Sequence, residues 1–319
     1  MVMTPALEGF LHTHHFAITT TEAASIGISR EVLRLLVARK VLTRVGRGAY
    51  VQTSALEREP HDAGRHVLRV QALVRSRPED WVASHLSAAL LWGLPVPQVP
   101  LDRLHVCHAR PVGTSRRRSG YTVHLYPGEE RITRLEGLPV VVAAAAVVGT
   151  ALQVPLGPAV AAADAALHRG LVSPEGLVAQ LEAWAHVPQV VGARLAVARA
   201  DGRSESPGES LLRLILLDLG LTVIPQHVVR DGDVLVARVD FYLPELGVVL
   251  EFDGRLKYAG HDGRQALAAE KYREDRIRAL GYGVGRLTWD CLTQPAVVSG
   301  VVARAARSAH PHLIAARAS

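Results

Sequence analysis

The stretch ARVDFYLPELGVVLEFDGRLKY, residues 237–258, decides the fold of the second half of the chain. It holds two apolar runs typical of β-strands, separated by the turn sequence PELG. Because a strand places residues i and i+2 on the same face, Glu251 and Asp253 project together, and a hairpin brings Asp240 beside them. Carboxylates among apolar strand residues are costly unless a positive group binds them. The stretch therefore predicts a divalent-cation site formed by these three acids.

A simpler interpretation of the same residues stays open. Asp253 precedes a glycine and suits an ordinary turn. Asp240 would then pair with Arg238, and Glu251 with Arg255, as structural salt bridges. Under this alternative the acids stabilise a hairpin and bind no metal.

The elements predicted around this stretch form one series that starts after a polar linker. The linker is ADGRSESPGES, residues 200–210. Glu209 opens the helix ESLLRLILLDLG, which is followed by the strands LTVIPQHVV, VARVDFYL and VVLEFDG. A charged helix, QALAAEKYREDRIRAL, precedes the strand VGRLTW and a last helix, VVSGVVARAARSA. Helix, three strands, helix and strand predict an α/β sandwich over residues 204–319.

Five ordered blocks between residues 204 and 292 carry a resemblance to a known family. They are SESPGESLLR, RVDF, VVLEFDGRLKY, EKYREDRIRALGY and GRLTWDCL. This pattern resembles the PD-(D/E)xK nuclease superfamily, and more narrowly its Vsr-like endonuclease domain, a fold of the restriction-endonuclease type. The resemblance implies phosphodiester hydrolysis with Mg²⁺ or Mn²⁺, held by Asp240 and Glu251. It further implies that Asp253 completes the metal shell or orients the attacking water, and that Glu209 adds an acid to the catalytic site.

The cation of the superfamily's motif is where the sequence departs from the pattern. The lysine normally stands two residues beyond the strand acid, and Asp253 occupies that position here. The chain has only three lysines, one of which, Lys257, lies four residues further on. We therefore predict that Lys257 is the catalytic cation, with Lys271 on the following helix as the second candidate.

Residues 1–55 have the layout of a winged helix-turn-helix. Thr19 and Glu22 have the spacing of a capping box, and Ser29 is a natural N-cap for the basic helix REVLRLLVARK. In this helix Val32, Leu35 and Leu36 recur at helical spacing, which predicts that they face the core. Two short β-runs then surround Gly46-Arg47-Gly48. A helix fits the major groove of DNA and a hairpin with a basic tip reaches phosphates or the minor groove. The predicted DNA-binding residues are the cations of this helix and hairpin: Arg34, Arg39, Lys40, Arg44 and Arg47. The alternative is a winged helix used for protein contacts, with these charges simply solvated.

Residues 56–199 are predicted to form a middle α+β region. The segment WVASHLSAALLWGLPVP, residues 81–97, resembles AbiEi-type antitoxins of type IV toxin–antitoxin systems, in which a winged helix-turn-helix precedes it. That resemblance covers roughly residues 5–190 and implies a partner toxin. The chain departs from it at AAAAVVGTAL, residues 143–152, where relatives are expected to have an Arg and an Asp. The spacing of four histidines in this region matches no helical HxxxH metal-binding pair, so no metal site is predicted there: His85, His105, His108 and His124.

Composition narrows the setting in which these domains work. The chain has 319 residues, a formal net charge of +6 and a sequence pI near 9.7, which suits an anionic partner. It has two distant cysteines, Cys107 and Cys291, and no secretory leader pattern at the N-terminus. We therefore expect a cytoplasmic protein of mixed α/β (α+β) class that binds double-stranded DNA without a membrane. Two functions remain: an endonuclease, in phage defence or DNA repair, and a DNA-binding regulator or antitoxin whose nuclease fold is inactive. A homodimer is compatible with both.

Overall fold

The computed structural model describes residues 4–112, 114–187, 189–254 and 263–310. The chain forms two compact units, the first comprising Met1–Ala162 with Gly170–Val197 and the second Ala163–Arg169 with Ala198–Ser319. The passage from one unit to the other at residue 198 lies beside the predicted linker. The finer division into three domains, with a boundary near residue 55, stays a prediction.

The first unit begins with the two helices and the hairpin predicted for a winged helix-turn-helix, preceded by a helix and a strand that the sequence did not predict. In chain order they are α1 (Pro5–Thr13), β1 (Ala17–Thr19), α2 (Thr20–Ser25), α3 (Arg30–Ala38), β2 (Leu42–Gly46) and β3 (Ala49–Gln52). The three strands form an antiparallel sheet in the order β1-β3-β2. Thr19 and Glu22 form the predicted capping box of α2, and the Ser29 hydroxyl accepts a hydrogen bond from the Val32 N–H at the start of α3. Local capping therefore fixes where both helices begin.

The buried face of α3 differs from the one predicted. Leu33 and Leu36 are the fully buried residues of this helix and pack against Leu7 and Leu11 of α1. Leu35, predicted to face the core, is 45% exposed. The prediction was wrong because the apolar residues of this helix fit two faces, one through Val32 and Leu35 and one through Leu33 and Leu36. Only the position of α1 decides which face is buried.

The rest of the first unit is a six-stranded mixed sheet covered by helices. Its elements are α4 (Thr53–Arg58), α5 (Asp62–Arg75), β4 (Trp81–Ala83), α6 (His85–Leu91), β5 (Leu104–His108), β6 (Arg116–Arg118), β7 (Tyr121–His124), β8 (Ile132–Leu135), β9 (Leu138–Val141), α7 (Ala143–Ala151), α8 (Leu156–His168), α9 (Pro174–Ala183) and α10 (Val190–Ala198). The end of α8, from Ala163, and the last residue of α10 belong to the second unit. The strand order is β6-β7-β5-β4-β9-β8. The three arginines of β6 form an exposed edge strand paired with β7.

A buried polar network lies beneath this sheet. His66 is fully buried, and its Nδ1 and Nε2 lie 2.9 Å from the Leu101 carbonyl oxygen and 2.7 Å from the Ser87 hydroxyl. The same hydroxyl accepts a hydrogen bond of 2.7 Å from the His105 N–H. Burial lowers the pKa of His66 to about 4, with the nearby Arg69 charge acting in the same direction. The network therefore holds a neutral imidazole.

The second unit contains the predicted series of helix, three strands, helix, strand and helix. Its elements are α11 (Pro207–Asp218), β10 (Ile224–Asp231), β11 (Val234–Leu243), β12 (Val248–Asp253), α12 (Gly263–Ala279), β13 (Gly283–Thr288) and α13 (Pro295–Ser308). The sheet order is β10-β11-β12-β13, with antiparallel pairing except between β12 and β13, which are parallel and joined through α12. The fold is therefore a mixed α+β one.

The two faces of this sheet bury different residues, and this decides where the acids lie. Phe241 and Leu250 point to the face covered by α11 and α13, in a cluster with Leu212 and Val298. Val249 points to the opposite face, in a cluster with the α12 residue Ile277. Because side chains alternate along a strand, Asp240 and Glu251 lie on the α12 face. In the described part of the chain, no helix is long and apolar enough to cross a membrane.

Candidate functional site

Asp240 and Glu251 lie where the pairing of β11 with β12 stops. The last residue pair of this ladder is Phe241 with Leu250, so Asp240 and Glu251 occupy the next position on each strand. Asp240 Oδ2 accepts a hydrogen bond of 2.6 Å from the Phe252 N–H. The carboxylate thus satisfies a backbone donor of the neighbouring strand and is held in a fixed orientation.

A cleft of about 220 Å³ opens at this point, on the α12 face of the sheet. Phe252 and seven charged residues, four acids and three arginines, line it: Asp240, Glu251, Asp253, Glu270, Arg238, Arg273 and Arg286. The three acids predicted as metal ligands therefore line one cleft, together with cations.

The electrostatics of the cleft disfavour the charged form of both central acids. The pKa of Asp240 is raised to about 6. Burial is the largest cause, the nearby Glu209 and Glu251 charges act in the same direction, and the hydrogen bond from the Phe252 N–H opposes them. Burial also raises the pKa of Glu251, which the Arg273 and Arg286 charges oppose. A cation bound between the two acids would relieve both effects.

Glu251 is already paired with two arginines. Its Oε1 lies 2.8 Å from an Arg273 nitrogen, and its Oε2 lies 3.7 Å from an Arg286 nitrogen. Arg286 also pairs with Glu274 at 3.0 Å and with Glu270. Glu251 therefore forms salt bridges, as the alternative interpretation of the sequence predicts, but its partners are Arg273 and Arg286. The predicted partner, Arg255, lies outside the described residues.

The partner suggested for Asp240 is engaged elsewhere. Arg238 donates two hydrogen bonds, of 2.7 and 2.9 Å, to the carboxylate of Glu205. Asp240 instead accepts from the backbone of β12. The interpretation of Asp240 as an ion-pair partner of Arg238 was wrong, because Glu205, just before α11, takes that guanidinium.

Glu209 lies behind the cleft and has a structural use. It is 6% exposed, and its Oε2 accepts hydrogen bonds from the Glu205 N–H at 3.0 Å and from the Gln226 amide at 2.9 Å. It is not among the residues that line the cleft. Its charge still reaches Asp240, whose pKa it helps to raise. Glu209 therefore tunes the site electrostatically from its place at the start of α11.

The carboxylates of Asp240 and Glu251 fit a hard divalent cation that is held by few protein ligands. Among the described residues, no three His, Cys, Asp or Glu side chains form a ready-made metal cluster. Mg²⁺ needs no such cluster, since proteins often hold it by one or two carboxylates together with water and a substrate phosphate. Asp240 and Glu251 offer two such carboxylates on adjacent strands. The set of three metal-ligating acids stays a prediction.

Among the described residues, the cations that line the cleft are arginines. Lys257 falls outside the described residues. Lys271 is exposed on α12 and does not line the cleft, so it is not positioned as the second candidate requires. The sequence did not single out Arg273 and Arg286, which do line it. The parallel register of β12 with β13, which pairs Glu251 with Arg286, was the missing signal.

The predicted DNA-contacting cations are exposed on α3 and the β2–β3 hairpin. Five residues on α3, its C-terminal end and the β2–β3 hairpin are exposed: Arg34, Arg39, Lys40, Arg44 and Arg47. Within the described ranges none of them forms an ion pair, and the Arg44 guanidinium donates to the Gly46 carbonyl oxygen at 3.2 Å. Unpaired cations on a helix and a hairpin leave this surface positive, as contact with phosphates requires.

Comparison with known proteins shows a family match within the N-terminal residues. No match to a curated protein was found. The crystal structure of the RV2827C protein from Mycobacterium tuberculosis is similar over 63% of this chain and 86% of that one, at 15% identity and a TM-score of 0.34, too low to support an argument. Residues 8–51 match the family described as transcriptional regulator, AbiEi antitoxin, a match that does not extend to residues 81–97. The N-terminal domain of this chain is therefore similar to the AbiEi antitoxin family of transcriptional regulators.

Proposed function

We propose that the protein is a metal-dependent DNA endonuclease that its N-terminal winged helix directs to double-stranded DNA. The observation that carries the proposal is the pair Asp240 and Glu251, adjacent on one face of the sheet and both with a raised pKa. Two partly buried carboxylates that disfavour their own charge are costly to keep in a core-facing position. A catalytic use of a bound cation offsets that cost.

Each residue of the cleft has a defined task in this proposal. Asp240, fixed by the Phe252 N–H, and Glu251 would hold Mg²⁺ or Mn²⁺, which when bound supplies Lewis acidity and a more acidic water. Asp253, at the end of β12, is placed two residues beyond Glu251 on the same face and would accept a proton or a hydrogen bond from the attacking water. Glu209 adds negative potential from behind.

The winged helix supplies affinity for the substrate. Exposed cations of α3 and the hairpin would contact phosphates of the duplex, and the N-terminal part of α3 is the part that reaches base edges. Binding of this kind is strongly salt-dependent because each phosphate contact releases counterions. The match of residues 8–51 to transcriptional regulators supports DNA as the ligand.

A second function, from another class, also has specific support. It is a DNA-binding regulator or antitoxin whose nuclease fold is inactive. The AbiEi match favours it, and so does the pairing of Glu251 with Arg273 and Arg286, which neutralises a carboxylate that a metal would need. A toxin partner is expected under this function, and a homodimer on a two-fold symmetric operator suits it as well.

A cleavage assay separates the two functions. Supercoiled plasmid, linear duplex and single-stranded DNA are incubated with the protein in Mg²⁺, Mn²⁺ or EDTA, beside Asp240→Asn and the exposed-acid control Asp290→Asn. The endonuclease predicts metal-dependent cleavage that Asp240→Asn abolishes and Asp290→Asn retains. Cleavage that persists in EDTA or in Asp240→Asn would refute the metal site. Salt-sensitive duplex binding without cleavage of any substrate would favour the regulator.

A further inference from the structure

We infer that Arg273 is a phosphate-binding residue of the cleft and that Glu251 holds its guanidinium there until DNA arrives. This inference deepens the proposed endonuclease and rests on its assignment of the cleft to DNA. The sequence predicts Lys257 or Lys271 as the cation of this site, whereas Arg273 is a different side chain, on α12.

The two arginines of the cleft differ in how fully their charge is neutralised. Arg286 pairs with three acids: Glu251, Glu270 and Glu274. In the described part of the chain Arg273 forms one ion pair, to Glu251 Oε1 at 2.8 Å, and its side chain is 38% exposed. A guanidinium carries five N–H donors, so Arg273 retains donors that face the cleft. Arg286 is therefore a positioning residue for Glu251, and Arg273 is the cation that a ligand can engage.

Incoming DNA needs such a cation. The cleft is lined by the acids Asp240, Glu251, Asp253 and Glu270, which repel a phosphate. The third arginine of the lining, Arg238, has both of its terminal nitrogens on Glu205. A guanidinium that offers two parallel N–H groups matches the oxygens of a phosphate better than an ammonium does. Arg273 is thus the residue of the described lining best suited to meet the phosphodiester.

Glu251 then has two competing partners, Arg273 and the divalent cation of the proposed function. Removal of the Arg273 charge should favour cation binding and weaken phosphate binding at the same time. A purely structural Arg273 predicts no such opposite pair of effects, since the loss of a fold-stabilising ion pair weakens both. The opposite signs make the inference testable apart from catalysis.

The first test is free of metal. Binding of a fluorescein-labelled duplex is measured by anisotropy in EDTA for wild type, Glu251→Gln, Arg273→Ala and the double variant. Glu251→Gln releases the guanidinium, so it should tighten binding by about three- to tenfold, the scale of one net hydrogen bond. The gain should vanish when Arg273 is also Ala. A double variant that retains the whole gain would overturn the inference, because the gain would then reflect loss of negative charge alone.

Arg276 supplies the matched control. It lies on the same helix, carries the same charge, pairs with Asp231 at 3.6 Å and does not line the cleft. Glu251→Gln should keep its gain when combined with Arg276→Ala. In titrations with Mn²⁺ followed by electron paramagnetic resonance, Arg273→Ala should bind the ion several-fold more tightly than wild type, and Arg276→Ala should not. Equal Mn²⁺ affinity in all three proteins would count against competition for Glu251.

Cleavage separates this inference from the proposed function. With an active wild type, Arg273→Ala should lose at least about tenfold in cleavage rate, and Arg273→Lys should recover part of it. An active wild type with undiminished Arg273→Ala would overturn the inference and leave the endonuclease intact. A third outcome is that the wild type cleaves no DNA while the tighter duplex binding of Glu251→Gln still disappears in the double variant with Arg273→Ala. That outcome would refute the endonuclease and retain Arg273 as a phosphate-binding residue.

Discussion

Replacement of Asp240 by Asn should stabilise the protein while it removes the proposed activity. The carboxylate is largely buried on the α12 face, and burial together with the Glu209 and Glu251 charges raises its pKa to about 6 from an ordinary value of 3.8. The folded state therefore binds this proton more tightly than the unfolded chain does. Stability associated with the group is fully present below 3.8 and is lost as the pH rises through about 6.

The size of the effect follows from the shift. One pKa unit corresponds to about 1.36 kcal/mol, so a rise from 3.8 to about 6 corresponds to at most about 3 kcal/mol at pH 8. Partial exposure of Asp240 to water screens part of this, and the Asn oxygen forms a weaker hydrogen bond with the Phe252 N–H. We therefore expect Asp240→Asn to gain about 1–2 kcal/mol in unfolding free energy at pH 8 and nearly nothing at pH 4.

Urea denaturation in EDTA at pH 8 and pH 4 measures the gain. Hydrogen exchange of peptides that cover Val248–Asp253 assigns the transition to the second unit. The exposed acid Asp290 provides the control, since Asp290→Asn should change stability by less than about 0.5 kcal/mol at either pH. If Asp240→Asn lowers the unfolding free energy at pH 8, or raises it equally at pH 8 and pH 4, an ionised, partly buried carboxylate does not destabilise this site and the prediction is refuted.

Three further predictions concern the first unit. Ser87→Ala should lower the unfolding free energy by about 2–4 kcal/mol in urea denaturation, because His66 Nε2 and the His105 N–H both lose their buried partner; a loss below about 0.5 kcal/mol would contradict this bridge. Because the pKa of His66 is lowered to about 4, its contribution to stability should be present above pH 6.5 and lost as the pH falls towards 4, so His66→Gln should flatten the urea midpoint between pH 7 and pH 4.5. A midpoint that falls as steeply in the variant would exclude this residue as the cause. Arg47→Ala should reduce the slope of log affinity for duplex DNA against log salt by about one, equally for all sequences; Arg116→Ala, on the edge strand, should leave that slope unchanged.

The sequence alone determined the order and type of the elements of residues 204–319 and the caps of two N-terminal helices. Hydrophobic periods of 3.6 and 2 and local signals set the helices and strands, and these signals act over a few residues. The capping box at Thr19 and the N-cap at Ser29 lie where the sequence put them. The linker after residue 199 likewise coincides with the passage between the two units. Strand alternation sufficed to place Glu251 and Asp253 on one face, because within a strand the face depends only on residue parity. Asp240 joins them through the register of the β11–β12 hairpin.

Only the tertiary structure decided which charges meet in the cleft. Arg273 and Arg286 come to Glu251 from α12 and β13, elements that follow it by more than twenty residues, and their approach depends on the parallel register of β13. Glu209 turned out to hold the start of α11, since a buried carboxylate takes whatever donors the neighbouring strand presents. Sequence patterns fix which face a side chain occupies; ion pairs between distant elements depend on distances that only the packed fold sets.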